Sequence, residues 1–253
     1  MKKFSFVLLT ALLMAFFCRA QTGFAVVELF TSEGCSSCPP GEKVLNEISQ
    51  EAKKNSQNIF CLEYHVDYWN RGGWKDPFSK NQFTLRQNSY SAALQQRELY
   101  TPQMIVNGET EFTGSQKEKA DASIEKELKT RFNATLDLAV DSVERDTIFA
   151  RYISSAADKN FSFHVAVVEN GLTSKVGKGE NAGKTLVHNH VVRIFYSLGL
   201  NAKEAVVKIP LKGFLLNSNC SLIAFCQQKQ SMKILSATEK SATTFMKNFP
   251  GRR

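Results

Sequence analysis

Short apolar runs alternate with amphipathic stretches over residues 23–128. The runs "FAVVELF" and "NIFCLEYHVDYW" are rich in β-branched and aromatic residues, which is typical of buried strands. Between them, "GEKVLNEISQEAKK" repeats its apolar residues at helical spacing with charges in between. This first part of the chain is therefore predicted to begin as strand, helix, strand.

The same alternation continues beyond the second strand. "PFSKNQFTLRQNSYSAALQQ" and "SQKEKADASIEKELKT" predict two further helices, the second charged and exposed. Between these helices, "TPQMIVNG" and "TEFTG" predict a hairpin that turns on Asn107-Gly108. A strand, helix, strand, helix, hairpin, helix order implies a sheet covered by helices on both faces.

The pattern changes near residue 131, where short alternating runs bounded by turns predict antiparallel strands. These runs are "ATLDLAVDSVERDTIFARYISS", "FSFHVAVVEN", "EAVVKIPL" and "SLIAFCQQKQSMKILSATE". The intervening "LVHNHVVRIFYSLG" fits either a strand or a short helix. We therefore expect an α/β domain over residues 21–130 and an all-β, sandwich-like domain over residues 131–253.

The first twenty residues have the pattern of a secretory signal peptide. Lys2 and Lys3 precede the apolar run "FSFVLLTALLMAFF", and small residues then lead to a cleavage site after Ala20. This run is shorter than the roughly 20 residues that a membrane span needs. We expect an exported protein, periplasmic or secreted, with no stable membrane span.

The charge distribution gives little support to a nucleic-acid partner. Lys2, Lys3 and Arg19 contribute three of the net +8 charges, so the cleaved chain carries +5, and its basic residues are scattered. The stretch "GKGENAGKT" resembles a phosphate-binding loop but has Lys178 where that motif needs glycine. We expect no cofactor.

The candidate chemistry lies in "VVELFTSEGCSSCPP", which carries Cys35 and Cys38 between the first strand and the first helix. A cysteine at a helix N-terminus is stabilised as a thiolate, and the first cysteine of such a pair is expected to be exposed and nucleophilic. The spacing alone permits a redox pair, a pair of metal ligands or a structural disulfide. Three further cysteines remain after signal cleavage, Cys61, Cys220 and Cys226.

Two of these remaining cysteines are too far apart to pair if the chain between them is extended. Cys220 and Cys226 flank "SLIAF", and an extended stretch of this length holds their Cα atoms roughly 20 Å apart. We expect Cys226 and Cys61 to be small buried hydrophobic residues.

A proline at the start of the predicted "TPQMIVNG" strand favours a thioredoxin-like arrangement. A trans proline is awkward at this place in a strand. In thioredoxin-like folds a cis proline occupies it and faces the cysteine turn. On this basis Pro102 faces the cysteines, and Thr101 presents its backbone to a substrate.

Several stretches together resemble a secreted bacterial thioredoxin-like family that is catalogued as a domain of unknown function. They are "VVELFTSEGCSSCPP", "YHVDYWNRGGWKDPFS", "RQNSY", "YTPQMIVNG" and "GENAGKTLVHNHVVR". The resemblance implies a thioredoxin-like N-terminal domain joined to a β-rich C-terminal domain. It implies no particular substrate.

Other polar residues near the cysteine turn offer competing chemistry. His65 and Asp67 end the second predicted strand, where they would accept a proton from Cys38, complete a copper or zinc site with the two sulfurs, or anchor the long loop that follows. His188 and His190 share a face if they lie on one strand. Too few further ligands are evident for a metal site there.

The favoured prediction is thiol–disulfide exchange with a protein thiol or disulfide as the partner. Cys35 and Cys38 carry the reaction, Thr101 and Pro102 dock the partner, and His65 and Asp67 support them. The alternatives are a metal-binding module that uses the same cysteines and His65, and a binding protein whose disulfide is inert. The direction of exchange and the redox partner are not assigned.

Overall fold

The structure is a computed structural model that describes residues 23–248. The predicted signal peptide lies outside the described residues. The helices are α1 (Pro39–Lys54), α2 (Asn81–Ala93), α3 (Lys117–Lys129) and α4 (Ala242–Phe245), with short 3-10 helices at Tyr68–Gly72 and Met246–Asn248. The strands are β1 (Ala25–Thr31), β2 (Ile59–His65), β3 (Gln103–Val106), β4 (Thr110–Thr113), β5 (Leu136–Glu144), β6 (Thr147–Ser154), β7 (Phe161–Glu169), β8 (Leu172–Lys175), β9 (Thr185–His188), β10 (Val191–Gly199), β11 (Glu204–Pro210), β12 (Cys220–Gln228) and β13 (Ile234–Ser241).

Within this described range, a mixed sheet of eight strands runs through the molecule in the order β13-β12-β7-β10-β2-β1-β3-β4. β1 is parallel to β2 and antiparallel to β3. The sheet has an N-terminal half (β1–β4) and a C-terminal half (β7, β10, β12 and β13). β10 joins the two halves by pairing with β2 at a single position, Val191 opposite Glu63. Strands from both sides of residue 131 thus belong to one sheet, and a division into two domains at that point stays a prediction.

Helices cover both faces of the N-terminal half of this sheet, as the element order predicted. Alternate residues of β1 point to opposite faces. Ala25 and Leu29 pack with α1 and α3, whereas Val26 and Phe30 pack with α2. The α/β character predicted for this half is confirmed.

A second sheet, in the order β11-β6-β5, packs against the C-terminal half of the large sheet. Leu138 and Tyr152 of this small sheet share a core with Phe163 and Leu222 of the large one. Two sheets that bury their inner faces against each other form a sandwich-like layer. The structure is thus a mixed α/β fold with one large sheet and smaller ones.

The stretch that fits either a strand or a short helix by sequence is a pair of strands, and its two histidines have different surroundings. "LVHNHVVRIFYSLG" forms the two strands β9 and β10 rather than a helix. His188 ends β9 and is buried, while His190 follows in a turn with a φ of 61° and is only half-buried. The two histidines would share a face only on one strand, and that condition is not met because β9 ends at His188.

A buried polar network ties the two halves together on the α2 face. The Arg86 guanidinium donates to both carboxylate oxygens of Glu28, at 2.7 Å and 2.9 Å. It also donates to Tyr90 and to Gln227 of β12. Tyr90 in turn donates to Glu28.

Among residues 23–248, no helix is long and apolar enough to cross a membrane.

We expect Arg86→Leu to lower the free energy of unfolding by about 3–5 kcal/mol, because it leaves the Glu28 carboxylate buried without its cation. Urea denaturation measures the change. Arg151→Ala is the control, since Arg151 is half-exposed and lies 3.4 Å from Asp141, so its loss should cost less than about 1 kcal/mol. Equal losses in the two variants would contradict this role for Arg86.

Candidate functional site

Cys35 and Cys38 form a disulfide at the turn between β1 and α1. Their Cα atoms are 5.4 Å apart, and the Cys38 N–H donates to the Cys35 carbonyl at 3.2 Å. Cys38 is the N-cap residue of α1, and Pro39 follows as the first helical residue. Proline is favourable there because its fixed φ suits a helix and its missing N–H has no intrahelical partner. The pair therefore lies at the positive end of a helix dipole.

The loop that precedes β3 lies against this turn. The Thr101–Pro102 peptide bond is cis. The Thr101 carbonyl oxygen is 3.9 Å from Cys35 Sγ, and the Ser37 hydroxyl is 3.3 Å from the same sulfur. Gly41 of α1 permits this close approach, because a Cβ at that position would lie 2.8 Å from Pro102 Cβ. The predicted site residues Cys35, Cys38, Thr101 and Pro102 are thus brought together.

Both cysteines are fully buried, with 0% of their surface accessible. The expectation that the first cysteine is exposed is therefore wrong. Only Ser36 and Ser37, between them, reach solvent. Sequence reasoning failed here because the covering residues come from a distant part of the chain.

The glycine-rich loop that joins β8 to β9, at residues 176–184, lies against the backbone of the cysteine turn, and we call it the cover. The Asn181 side-chain amide donates to the carbonyls of Glu33 and Cys35, both at 2.9 Å. The Glu180 carboxylate accepts from the Ser36 N–H at 2.9 Å. Gly179 and Gly183 adopt positive φ within this loop. Its contact with the cysteine turn was not predicted.

Two tryptophans flank the cysteine turn. Trp69 donates its indole N–H to the Thr101 hydroxyl at 2.8 Å, and Trp74 donates to the Glu33 carboxylate at 2.7 Å. Both are only half-buried. They hold the loop after β2 beside the disulfide, which agrees with a packing role.

A cluster of six buried ionisable side chains lies on the α1 face of the sheet, at the carboxyl ends of β1 and β2. We call this set the acid–histidine cluster. Its members are Glu33, Glu42, Glu63, His65, Asp76 and His188. Glu42 lies one helical turn beyond Cys38, and the Thr31 hydroxyl donates to it at 2.7 Å. The cluster therefore lies at the start of the helix that carries the disulfide.

The two histidines stand at the centre of this cluster, and carboxylates surround both. His65 Nδ1 is 2.7 Å from Asp76 Oδ2, and His65 Nε2 is 2.8 Å from Glu63 Oε1. His188 Nε2 is 3.2 Å from Glu33 Oε1. The rings of His65 and His188 meet edge to face, with centroids 4.9 Å apart.

The carboxylates control the protonation of these rings. Burial lowers the pKa of His65, but Asp76 and Glu63 outweigh it and raise that pKa to about 10. Burial likewise lowers the pKa of His188, and its carboxylate neighbours raise it to about 12. Burial raises the pKa of Glu63, yet both histidines hold it below its ordinary value. In the metal-free protein the histidines are thus charged at neutral pH.

The predicted supporting residues His65 and Asp67 have different surroundings. His65 anchors the long loop through Asp76, which also accepts from the backbone N–H groups of Glu33 and Phe78. Because His65 already holds its proton, it is a poor acceptor for a proton from Cys38. Asp67 accepts from the Thr84 hydroxyl at 2.6 Å. This geometry favours the loop-anchoring interpretation for both residues.

The remaining described cysteines are free and buried, as expected for Cys61 and Cys226. Burial raises the pKa of the Cys61 thiol to about 12, and it raises the pKa of the Cys220 and Cys226 thiols as well. A thiol with a raised pKa is a weak nucleophile at neutral pH. Cys61, Cys220 and Cys226 are therefore poor candidates for thiol chemistry.

Comparison with known proteins assigns the chain to a family. The family described as "Protein of unknown function (DUF1223)" matches residues 26–227, so the chain belongs to it. This confirms the family of unknown function that the motifs indicated. No curated protein matches the sequence significantly.

Among solved structures, the chain is similar to protein AGR_C_4864 from Agrobacterium tumefaciens. The two are 26% identical, with a TM-score of 0.67, over 87% of this chain and 95% of that one. A domain of the outer membrane lipoprotein Omp28 from Porphyromonas gingivalis is 14% identical, over 43% of this chain and 94% of that one. Its TM-score of 0.22 is too low to support any argument.

We expect Asn181→Ala to speed the reduction of the Cys35–Cys38 disulfide by a water-soluble phosphine. The substitution leaves the buried Glu33 carbonyl without a donor and the Cys35 carbonyl with only the Cys38 N–H. A loss of about 1.4 kcal/mol in the closed state corresponds to about tenfold more opening. Mass spectrometry after rapid alkylation measures the rate. Asn133→Ala, at an exposed position between α3 and β5, is the control and should leave the rate unchanged. Equal rates in both variants would show that Asn181 does not control access.

Proposed function

We propose that this protein is an exported thiol–disulfide exchange protein that acts through Cys35 and Cys38. The observation that carries the proposal is the closed Cys-x-x-Cys disulfide at the N-terminus of α1, with the Thr101 carbonyl 3.9 Å from Cys35 Sγ. A Cys-x-x-Cys motif near a strand-helix-strand unit is typical of thioredoxin-like redox proteins.

The N-terminal half supports a thioredoxin-like interpretation of the fold. β1 pairs in parallel with β2 and antiparallel with β3, which pairs in turn with β4. The cysteine turn follows β1, and the cis bond before Pro102 leads into β3 at the same edge. In a redox protein of this class, the loop before β3 docks the backbone of the partner.

The proposed reaction has two exchange steps. In the reduced protein, the Cys35 thiolate attacks one sulfur of a partner disulfide, and the other partner sulfur leaves as a thiolate. Cys38 then loses its proton and attacks Cys35 Sγ, which re-forms the Cys35–Cys38 disulfide and releases the second partner thiolate. The partner gains two electrons and the cysteine pair loses two. The same steps in reverse oxidise a partner dithiol.

Access to the sulfurs requires their surroundings to move, because both cysteines are buried, and the β8–β9 loop is the neighbour held by an exposed contact. The contact between Glu180 and the Ser36 N–H lies at the exposed edge of this cover, so water competes for both groups. Ser36 and Ser37 already reach solvent. A partner that approaches over these serines displaces Glu180 first and then meets Cys35 beside Thr101.

An exported location fits this chemistry. The N-terminal sequence has the pattern of a signal peptide, and disulfides persist outside the cytosol. The partner would be a protein thiol or disulfide in the periplasm or beyond.

A structural disulfide is the second candidate, and the complete burial of Cys35 and Cys38 favours it. Buried cysteines in apolar surroundings are generally inert. Reactivity in the folded protein therefore distinguishes the two candidates.

We expect reduced Cys38→Ser to form a stable mixed disulfide with a peptide that contains one disulfide bond, because the resolving thiol is missing. Intact-mass spectrometry under native conditions should find one adduct, on Cys35. Cys35→Ser should form none at that position. Cys61→Ser is the control, since Cys61 is buried away from the turn, and it should exchange like the unmodified protein. Reaction of Cys35 only after unfolding in urea would make the disulfide structural.

A further inference from the structure

The acid–histidine cluster contains a second site that is independent of cysteine chemistry. We propose that Glu63, His65 and His188 bind one divalent transition-metal ion, for which Zn²⁺ is the probe. Glu42 Oε2 lies 3.2 Å from His188 Nδ1 and would have to move closer to the other two ligands to supply a fourth. The donor set contains no sulfur, so the disulfide can stay closed when the ion binds.

The three inner side chains converge with the spacing that such an ion needs. Glu63 Oε1 is 2.8 Å from His65 Nε2 and 3.2 Å from His188 Nδ1. One donor atom from each of the three residues lies within 4.8 Å of the others. Ligands around a tetrahedral zinc ion with bonds of 2.0–2.1 Å are about 3.4 Å apart. Shifts of well under 1 Å for the closer pairs would make room for the ion.

Each histidine also has the outer partner that metal-binding histidines use. His65 Nδ1 faces Asp76 at 2.7 Å, and its other nitrogen faces Glu63. His188 Nε2 faces Glu33 at 3.2 Å, and its other nitrogen faces Glu63 as well. A carboxylate behind each imidazole fixes the ring and raises its basicity as a ligand.

Those outer carboxylates are themselves held in place. Asp76 accepts from the Glu33 N–H at 2.8 Å, and Glu33 accepts from the Trp74 indole at 2.7 Å. Ligating sites are generally supported by such further hydrogen bonds. The loop after β2 therefore acts as an outer shell for the proposed site.

Two buried atoms at the centre of the cluster, His188 Nδ1 and Glu63 Oε2, have no hydrogen-bond partner among residues 23–248. His188 Nδ1 lies 3.2 Å from both Glu42 Oε2 and Glu63 Oε1, but neither contact is aligned as a hydrogen bond. Buried polar atoms are nearly always paired, so these two require an explanation. A metal ion between them satisfies both.

The charge of the cluster is compatible with a bound divalent cation. It contains four carboxyl groups and two imidazoles, and within residues 23–248 its ion pairs are all internal to the cluster. Even two protonated imidazoles balance only two carboxylates. A divalent cation bound to neutral imidazoles again sets two positive charges against four carboxylates, so the net charge is unchanged, but one ion shared by the inner ligands replaces two adjacent imidazolium cations. Imidazole ligands favour a transition metal over Ca²⁺ or Mg²⁺.

The test is calorimetric titration of Zn²⁺ into the full-length mature protein, with the disulfide intact and bound metal first removed by a chelator. We expect one ion per chain. Co²⁺ should give the visible absorption of a four-coordinate site. His188→Asn should weaken Zn²⁺ binding by more than about 100-fold, and Asp76→Asn, which changes only the outer partner of His65, by about 10–100-fold.

The matched control is His164→Asn, because His164 is a buried histidine of the same sheet that pairs with Ser197 and lies outside the cluster. It should bind Zn²⁺ like the unmodified protein. Glu42→Gln provides a second cluster variant if His188→Asn does not fold. Circular dichroism checks the fold of each variant.

Absence of Zn²⁺ and Co²⁺ binding by the folded, disulfide-closed protein would overturn the proposal and leave an ion-pair cluster. So would binding that survives His188→Asn and Glu42→Gln but requires reduced Cys35 and Cys38. Neither result affects the exchange proposal, because the mixed-disulfide experiment contains no metal.

Discussion

Buried charge must be paired, and this requirement organises the structure around the acid–histidine cluster. Glu63 lies on β2 where the two halves of the large sheet meet, since its N–H donates to the His190 carbonyl at 2.8 Å. His188 comes from the C-terminal half, yet its charged neighbours Glu33, Glu42 and Glu63 come from the N-terminal half. Separating the halves would leave several charges buried without partners, which is costly. The cluster therefore fixes where the β8–β9 hairpin sits, and with it the cover over the disulfide.

The disulfide, its cover and the cluster form one continuous arrangement at the end of α1. Glu33 illustrates the connection: its carbonyl accepts from Asn181 in the cover, and its carboxylate faces His188 in the cluster. A partner that opens the cover would disturb these contacts, and an ion that fixes Glu63 and His188 would strengthen them. Thiol exchange and metal binding would then be two properties of neighbouring sites that share a loop, with the metal holding the scaffold on which the cysteine turn is built.

Local patterns in the sequence predicted much of the N-terminal half. The apolar runs gave β1 and β2, the helical spacing gave α1, and the proline before β3 pointed to the cysteine turn. The features that local patterns missed depend on contacts between residues that are far apart in the sequence. Glu33 and His188 are 155 residues apart, and nothing next to Glu63 in the sequence indicates that β10 pairs beside it. The burial of Cys35 has the same origin, because Asn181, which covers it, is 146 residues away.

The reduction potential of the Cys35–Cys38 disulfide tests most directly whether this corner is a redox centre. The protein is equilibrated with defined ratios of reduced and oxidised glutathione or dithiothreitol, and the fraction of closed disulfide is counted by mass spectrometry after acid quenching and alkylation. Exchange proteins have potentials between about −270 and −120 mV, and we predict a value in that range. A potential below about −300 mV, with a disulfide that resists glutathione, would contradict the exchange proposal and make the pair structural.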